Sequence, residues 1–199
     1  MVSFATFSVL WTTLAFLLSG PPYNYSEGII GLFGLVGAAG AITASVVGRF
    51  TDRGWARMLT GISTLLLLLG FVLLWRGGVS LPALLAGVLV LDVGSSGLHL
   101  SNQSEIFRLR PEARSRINAF YMTTCFVGAA AGSAVAAFVY QRWSWDGVCV
   151  LGAGIALFGL ALWAFGPRHS AAADEARAEA ADEARAEAAE RAAVDEAVH

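Results

Sequence analysis

Hydrophobic and polar positions alternate along this chain on the scale of whole helices, not single turns. Apolar runs near residues 4–20, 28–48, 58–75, 81–107, 117–140 and 147–166 are separated by short polar connections. A hydrocarbon core is spanned by about 20 helical residues, so the pattern predicts six transmembrane helices and an all-α, polytopic membrane domain over residues 1–168. The connections carry turn signals. Pro21 and Pro22 stop the first helix, Pro82 fits the first turn of the fourth, and Pro111 pushes Arg110 away from helical geometry.

The fourth run breaks the apolar pattern. "LVLDVGSSGLHLSNQSEIFRL", residues 89–109, places Asp92, Ser95, Ser96, His99, Asn102 and Gln103 at the spacing of one helical face. Such a stripe must look into protein or water. An ionised carboxylate at mid-membrane costs about 2.5–3.5 kcal/mol on insertion scales, and removal from water disfavours the charged form. Asp92 is therefore a candidate proton carrier, or else a carboxyl held by hydrogen bonds from neighbouring helices. Ser95, Ser96, His99, Asn102 and Gln103 are candidate substrate-cavity residues, while Glu105 falls toward the solvated helix end.

Composition agrees with the pattern. The chain of 199 residues is 56% hydrophobic and only 14% charged, with a mean hydropathy of +0.63, against about 25% charged residues in an ordinary soluble domain. Every basic residue is Arg. Arg49, Arg53, Arg57, Arg108, Arg110, Arg114, Arg116 and Arg168 fall on one side of the predicted topology and Arg76 and Arg142 on the other. The positive-inside rule then puts the second and fourth connections and both termini in the cytoplasm. Residues 169–199 form a low-complexity tail in which "ADEARAEA" occurs twice, at 173–180 and 181–188. Ala, Glu and Arg favour a solvated helix.

Small residues mark packing surfaces. Glycines 28, 31, 34, 37 and 40 recur every third residue in the second run, and Gly128 and Gly132 have G-x-x-x-G spacing in the fifth. Cys125 and Cys149 read as packing residues, and their spacing suits neither a zinc site nor a disulfide framework. No metal or cofactor is implied, and no phosphate-binding loop is present in the sequence. Nothing suggests nucleic-acid binding.

"GSSG", residues 94–97, has the G-x-S-G form of rhomboid intramembrane proteases. The sixth run has no histidine to serve as base, and His99 lies three residues from Ser96 on the same helix. The hydrolytic reading is disfavoured.

"GRFTDRGWARM", residues 48–58, resembles the G-x-x-x-D-R-x-G-R-R signature of the major facilitator superfamily. Gly48, Asp52 and Arg53 match directly, Gly54 comes one position early, and Arg57 falls near the final basic positions. "SNQ" at 101–103 and "ARSRINAFYMT" at 113–123 are similar to runs between the tenth and eleventh helices of bacterial sugar- or drug-efflux members. The resemblance implies the C-terminal six-helix half of a twelve-helix carrier in the inner membrane. On it, Gly48, Arg49, Asp52, Arg53 and Arg57 would form a cytoplasmic gating network, Asp92 would couple protons, and the polar row would line a central cavity. The implied partners are the bilayer, a small-molecule substrate, protons, and either a missing N-terminal half or a second copy. The alternatives are a non-transporting membrane subunit or a truncated relic.

Overall fold

A computed structural model describes residues 1–37, 55–109 and 114–166. The chain divides into two compact units, Met1–Ala164 and Phe165–His199. Of the second, only Phe165 and Gly166 are among the described residues. The tail and its repeats lie outside them.

The described part of the first unit consists of helices joined by short non-helical connections at 20–26 and 78–80. Its elements are α1 (Val2–Ser19), α2 (Glu27–Gly37), α3 (Ala56–Gly77), α4 (Leu81–Leu109) and α5 (Arg114–Phe165). Among the described residues five elements thus stand where the hydropathy pattern predicts six. The expected fifth and sixth segments, 117–140 and 147–166, are joined in α5. The intervening "QRWSWD" contains neither Gly nor Pro, and only Ser144 leaves helical geometry, at φ 53° and ψ −154°. The two arms, 114–143 and 145–165, contain 30 and 21 residues, or about 45 and 32 Å at 1.5 Å per residue. Either is long enough to cross a hydrocarbon core of about 30 Å. Among the described residues four elements, α1, α3, α4 and α5, are long and apolar enough to span a membrane. The described part of α2 has 11 residues.

Packing fixes the direction of each element. Helices α3 and α4 run antiparallel and touch backbone to backbone. Gly70 and Gly77 of α3 lie against Leu91 and Leu84, and Gly87 and Gly94 of α4 lie against Leu74 and Ser63. Each pair is spaced by seven residues, two helical turns, so the glycines stay on the shared seam. The first arm of α5 runs alongside α1. Gly128 meets Met1, Gly132 meets Ala5, and the Tyr140 ring lies 5.5 Å from that of Phe16. The G-x-x-x-G spacing is thus a seam against α1.

The second arm returns along α3. The Trp145 indole donates to the Leu74 carbonyl at 2.7 Å, the Phe71 ring sits under Gly152, and Trp163 covers Gly61. Gly28, Gly31 and Gly34 of α2 have open space beside them among the described residues, so none of the three packs closely against a described neighbour.

The core is built from Leu10, Leu14 and Leu18 of α1, Leu67, Phe71 and Leu74 of α3, and Leu84, Val88 and Leu91 of α4, all buried. The outside is also apolar. Leu35, Phe120, Phe138 and Phe158 are each more than 60% exposed, as a lipid-facing surface requires and a soluble one resists. At the end where α1 and α3 finish, the Tyr23 hydroxyl donates to the Gly77 carbonyl at 2.6 Å. Burial, and then the neighbouring Tyr25, hold that hydroxyl above the usual phenol range, so it stays a donor.

Candidate functional site

The polar row of α4 faces two neighbours. Asp92 and Ser95 meet α1. The Asp92 side chain is 2% exposed, its Oδ1 accepting from the Trp11 indole at 3.4 Å. That is long for a bond to a charged acceptor, where about 2.7–2.9 Å is usual. Its Oδ2 is buried with no hydrogen-bond partner among the described residues. One turn on, the Ser95 hydroxyl donates to the Ser3 carbonyl at 3.1 Å.

His99 and Gln103 meet the first arm of α5. The His99 Nδ1 and the Tyr121 hydroxyl are 3.0 Å apart, and the same hydroxyl lies 3.3 Å from the His99 carbonyl. The two rings stack with centroids 5.6 Å apart and planes inclined by 16°, while Phe4 of α1 closes the other side of the imidazole at 5.1 Å. Gln103 Nε2 donates to Asn118 Oδ1 at 3.2 Å. The sequence runs "SNQ" and "ARSRINAFYMT" therefore contribute facing side chains.

Ser96 and Asn102 are partly buried and make no side-chain hydrogen bond among the described residues. Glu105 is exposed, and Ser101, fully buried, leaves its hydroxyl without a partner among the described residues.

The arrangement can act chemically in two ways. Four of the six row positions tie α4 to α1 and to α5, as polar groups in lipid commonly join helices. Asp92 keeps one carboxylate oxygen unmatched among the described residues, a place for a proton, a water or a ligand donor. Hydrolysis has no support in this geometry. His99 is engaged by Tyr121, and Gly94 of "GSSG" is pressed against the Ser63 carbonyl, where a β-carbon would approach to 2.9 Å. Among the described residues no three His, Cys, Asp or Glu side chains converge as a metal site requires. Cys125 and Cys149 are free and buried.

Of the expected gating residues, Gly48, Arg49, Asp52 and Arg53 lie outside the described residues. Arg57 opens α3 and grips the end of α5. Its Nη2 donates to the Trp163 carbonyl at 3.0 Å, the Trp163 indole donates back to the Arg57 carbonyl at 2.9 Å, and the guanidinium sits 5.5 Å from that ring's centroid.

The partners Ser3, Trp11, Asn118 and Tyr121 were not singled out as site residues from the sequence. Asn118 and Tyr121 stood inside a quoted run. Trp11 gave no signal, because one indole in an apolar helix reads as packing until its neighbour is known.

The chain matches the Major Facilitator Superfamily over residues 1–196. It belongs to that family. Over 162 residues it is 49% identical to the transporter YgaY of Escherichia coli K12, a stretch that covers 81% of this chain and 41% of the relative. YgaY of Escherichia coli O157:H7 aligns with the same identity and coverage. The transporter SCO4007 of Streptomyces coelicolor is 32% identical over 149 residues, 74% of this chain and 34% of its own length. No solved structure gives a significant match. This major facilitator chain thus spans less than half the length of the curated relatives it matches. Membership sets aside the enzymatic reading of "GSSG": the relatives carry transporter names, and the motif here serves helix packing.

Proposed function

We propose that this chain forms one six-helix half of a secondary active carrier that exports a small molecule, drug- or sugar-like, across the bacterial inner membrane in exchange for protons. Both termini face the cytoplasm, and the half works against a complementary half or a second copy of itself. Asp92 takes up and releases the proton. Ser95, Ser96, His99, Asn102 and Gln103 contact substrate or hold the helices that do, and the connection bearing Gly48, Arg49, Asp52 and Arg53 gates the cytoplasmic side. Six described or partly described spans in the first unit, counting both arms of α5, support a half-carrier; substrate sites in such folds lie between halves near the midplane.

The observation that carries the proposal is Asp92: a buried carboxyl within an apolar helix, one oxygen weakly held by Trp11 and the other unmatched among the described residues. A side chain whose purpose was only to join helices would gain by satisfying both oxygens. An ion-carrying group needs one left open.

The test is proton release on substrate addition. The protein, alone and co-expressed with a six-helix complement, is held in lightly buffered detergent with a pH indicator and challenged with a panel of drugs and sugars. A compound that releases protons from the wild type and none from Asp92→Asn supports the reading. Equal release from both would remove Asp92 from the coupling step. Crosslinking in native membranes that yields only monomer would remove the self-pairing version.

A further inference from the structure

A cavity of about 760 Å³ opens at the end of the bundle where α1, α3 and the first arm of α5 finish. No residue of the α4 row lines it. Val72, Trp75 and Arg76 share one face of α3 there, turned away from the Gly70–Gly77 seam that meets α4. Leu17 and Tyr140 contribute from α1 and the first arm of α5, and the break at Ser144 brings in Trp145 and Asp146.

The walls are fixed by contacts already made. Trp145 is anchored through its indole to the Leu74 carbonyl, and the Tyr140 ring leans on that of Phe16 with their planes tilted by 47°. The lining carries one cation, Arg76, and one anion, Asp146. Both line the cavity, yet they make no ion pair with each other or with any other described residue. Two opposite charges on the lining of a largely apolar hollow, neither in an ion pair with a described residue, ask for a ligand with both signs.

We infer that this cavity binds the phosphoethanolamine headgroup of a membrane lipid, with the phosphate on Arg76 and the primary ammonium on Asp146. Position favours a lipid. The cavity sits at the end of four spans beside exposed Trp75 and Trp143, the depth at which indoles settle in a bilayer interface. The apolar side chains of Leu17 and Val72 in its lining suit the glycerol and upper acyl carbons. Arg matches a phosphate in two bonds, and a primary ammonium offers the N–H donors that a carboxylate accepts. This inference does not depend on the carrier reading. The cavity and the charges stand whether or not Asp92 moves protons.

The chain is purified in mild detergent and exposed to equal amounts of phosphatidylethanolamine and phosphatidylglycerol, and retained lipid is read by native mass spectrometry. The wild type is expected to prefer phosphatidylethanolamine by about fivefold, the upper range of one exposed ion pair. Asp146→Asn should abolish that preference while both lipids still bind. Arg76→Gln should lose both, and Arg76→Lys should keep them. Arg76 and Asp146 are exposed, so these variants should elute as the wild type does, and Arg76→Lys checks that lipid loss does not come from misfolding. Equal retention of the two lipids by the wild type, or an unchanged preference in Asp146→Asn, would overturn the assignment. Displacement by water-soluble glycerophosphoethanolamine at matched concentration would overturn the lipid in favour of a soluble zwitterion.

Discussion

Replacing Gly94 with alanine tests whether α3 and α4 are held at backbone contact. A β-carbon at Gly94 would stand 2.9 Å from the Ser63 carbonyl oxygen, 3.0 Å from Leu66 Cβ and 3.0 Å from the Leu67 nitrogen. Two of those three atoms are backbone, which cannot rotate away, so the helices must part by a few tenths of an ångström. Overpacking of this kind costs about 1–3 kcal/mol. Alanine also gains about 0.8–1.0 kcal/mol in helix propensity over glycine, so Gly94→Ala alone is expected to fall between neutral and about 2 kcal/mol less stable. Gly154→Ala separates the two effects. Gly154 is exposed, with nothing within 4 Å of its added β-carbon, so it receives the propensity gain without the clash. The difference between the two variants isolates the steric cost, about 1–3 kcal/mol. Unfolding in mixed detergent micelles by graded SDS, followed by tryptophan fluorescence, measures it. Equal stability of the two variants would show that α3 and α4 have room between them, and the seam described above would be wrong.

Two further predictions rest on hydrogen bonds. Tyr121→Phe removes the hydroxyl that faces both His99 Nδ1 and the His99 carbonyl, and should destabilise the bundle by about 0.6–1.7 kcal/mol, the range for polar contacts between membrane helices, in the same unfolding assay. Arg57→Lys keeps the charge but loses the planar group over Trp163 and the reach to its carbonyl. It should lower stability by about 1 kcal/mol, whereas a purely electrostatic gating role would leave stability unchanged.

How much of this was legible in the sequence depended on whether a signal was local. Helix existence was legible, because about 20 apolar residues in a row leave few alternatives in a bilayer. The joining of the last two spans was not, since a single residue at positive φ, Ser144, makes the break and serine carries no turn signature that would mark it. The stripe on α4 could be read from its 3.6-residue period, but its partners could not. Period places Asp92, Ser95, His99 and Gln103 on one face and says nothing of the neighbour they meet. That α1 takes the first two and α5 the others follows from packing between residues 15 to 92 positions apart. The same limit hid the role of the glycines. Gly28, Gly31 and Gly34 look much like Gly128 and Gly132 in sequence, yet among the described residues the first three meet nothing and the last two press on a neighbouring backbone.

Asp92 is where packing and the proposed proton traffic would make different demands on one side chain. As a helix-joining group it is poorly used: its single bond is 3.4 Å long and one oxygen goes unmatched. Asparagine would offer Trp11 the same carbonyl acceptor and would shed the desolvation cost of a carboxylate. If Asp92 only joined helices, Asp92→Asn should be as stable as the wild type or more so, and nothing else would change. If it carries protons, stability should again hold or rise, while substrate-driven proton release disappears. Stability therefore cannot tell the two apart, and proton release can. A loss of stability in Asp92→Asn would contradict both, because it would mean that the negative charge is matched by a group on the complementary half or outside the described residues.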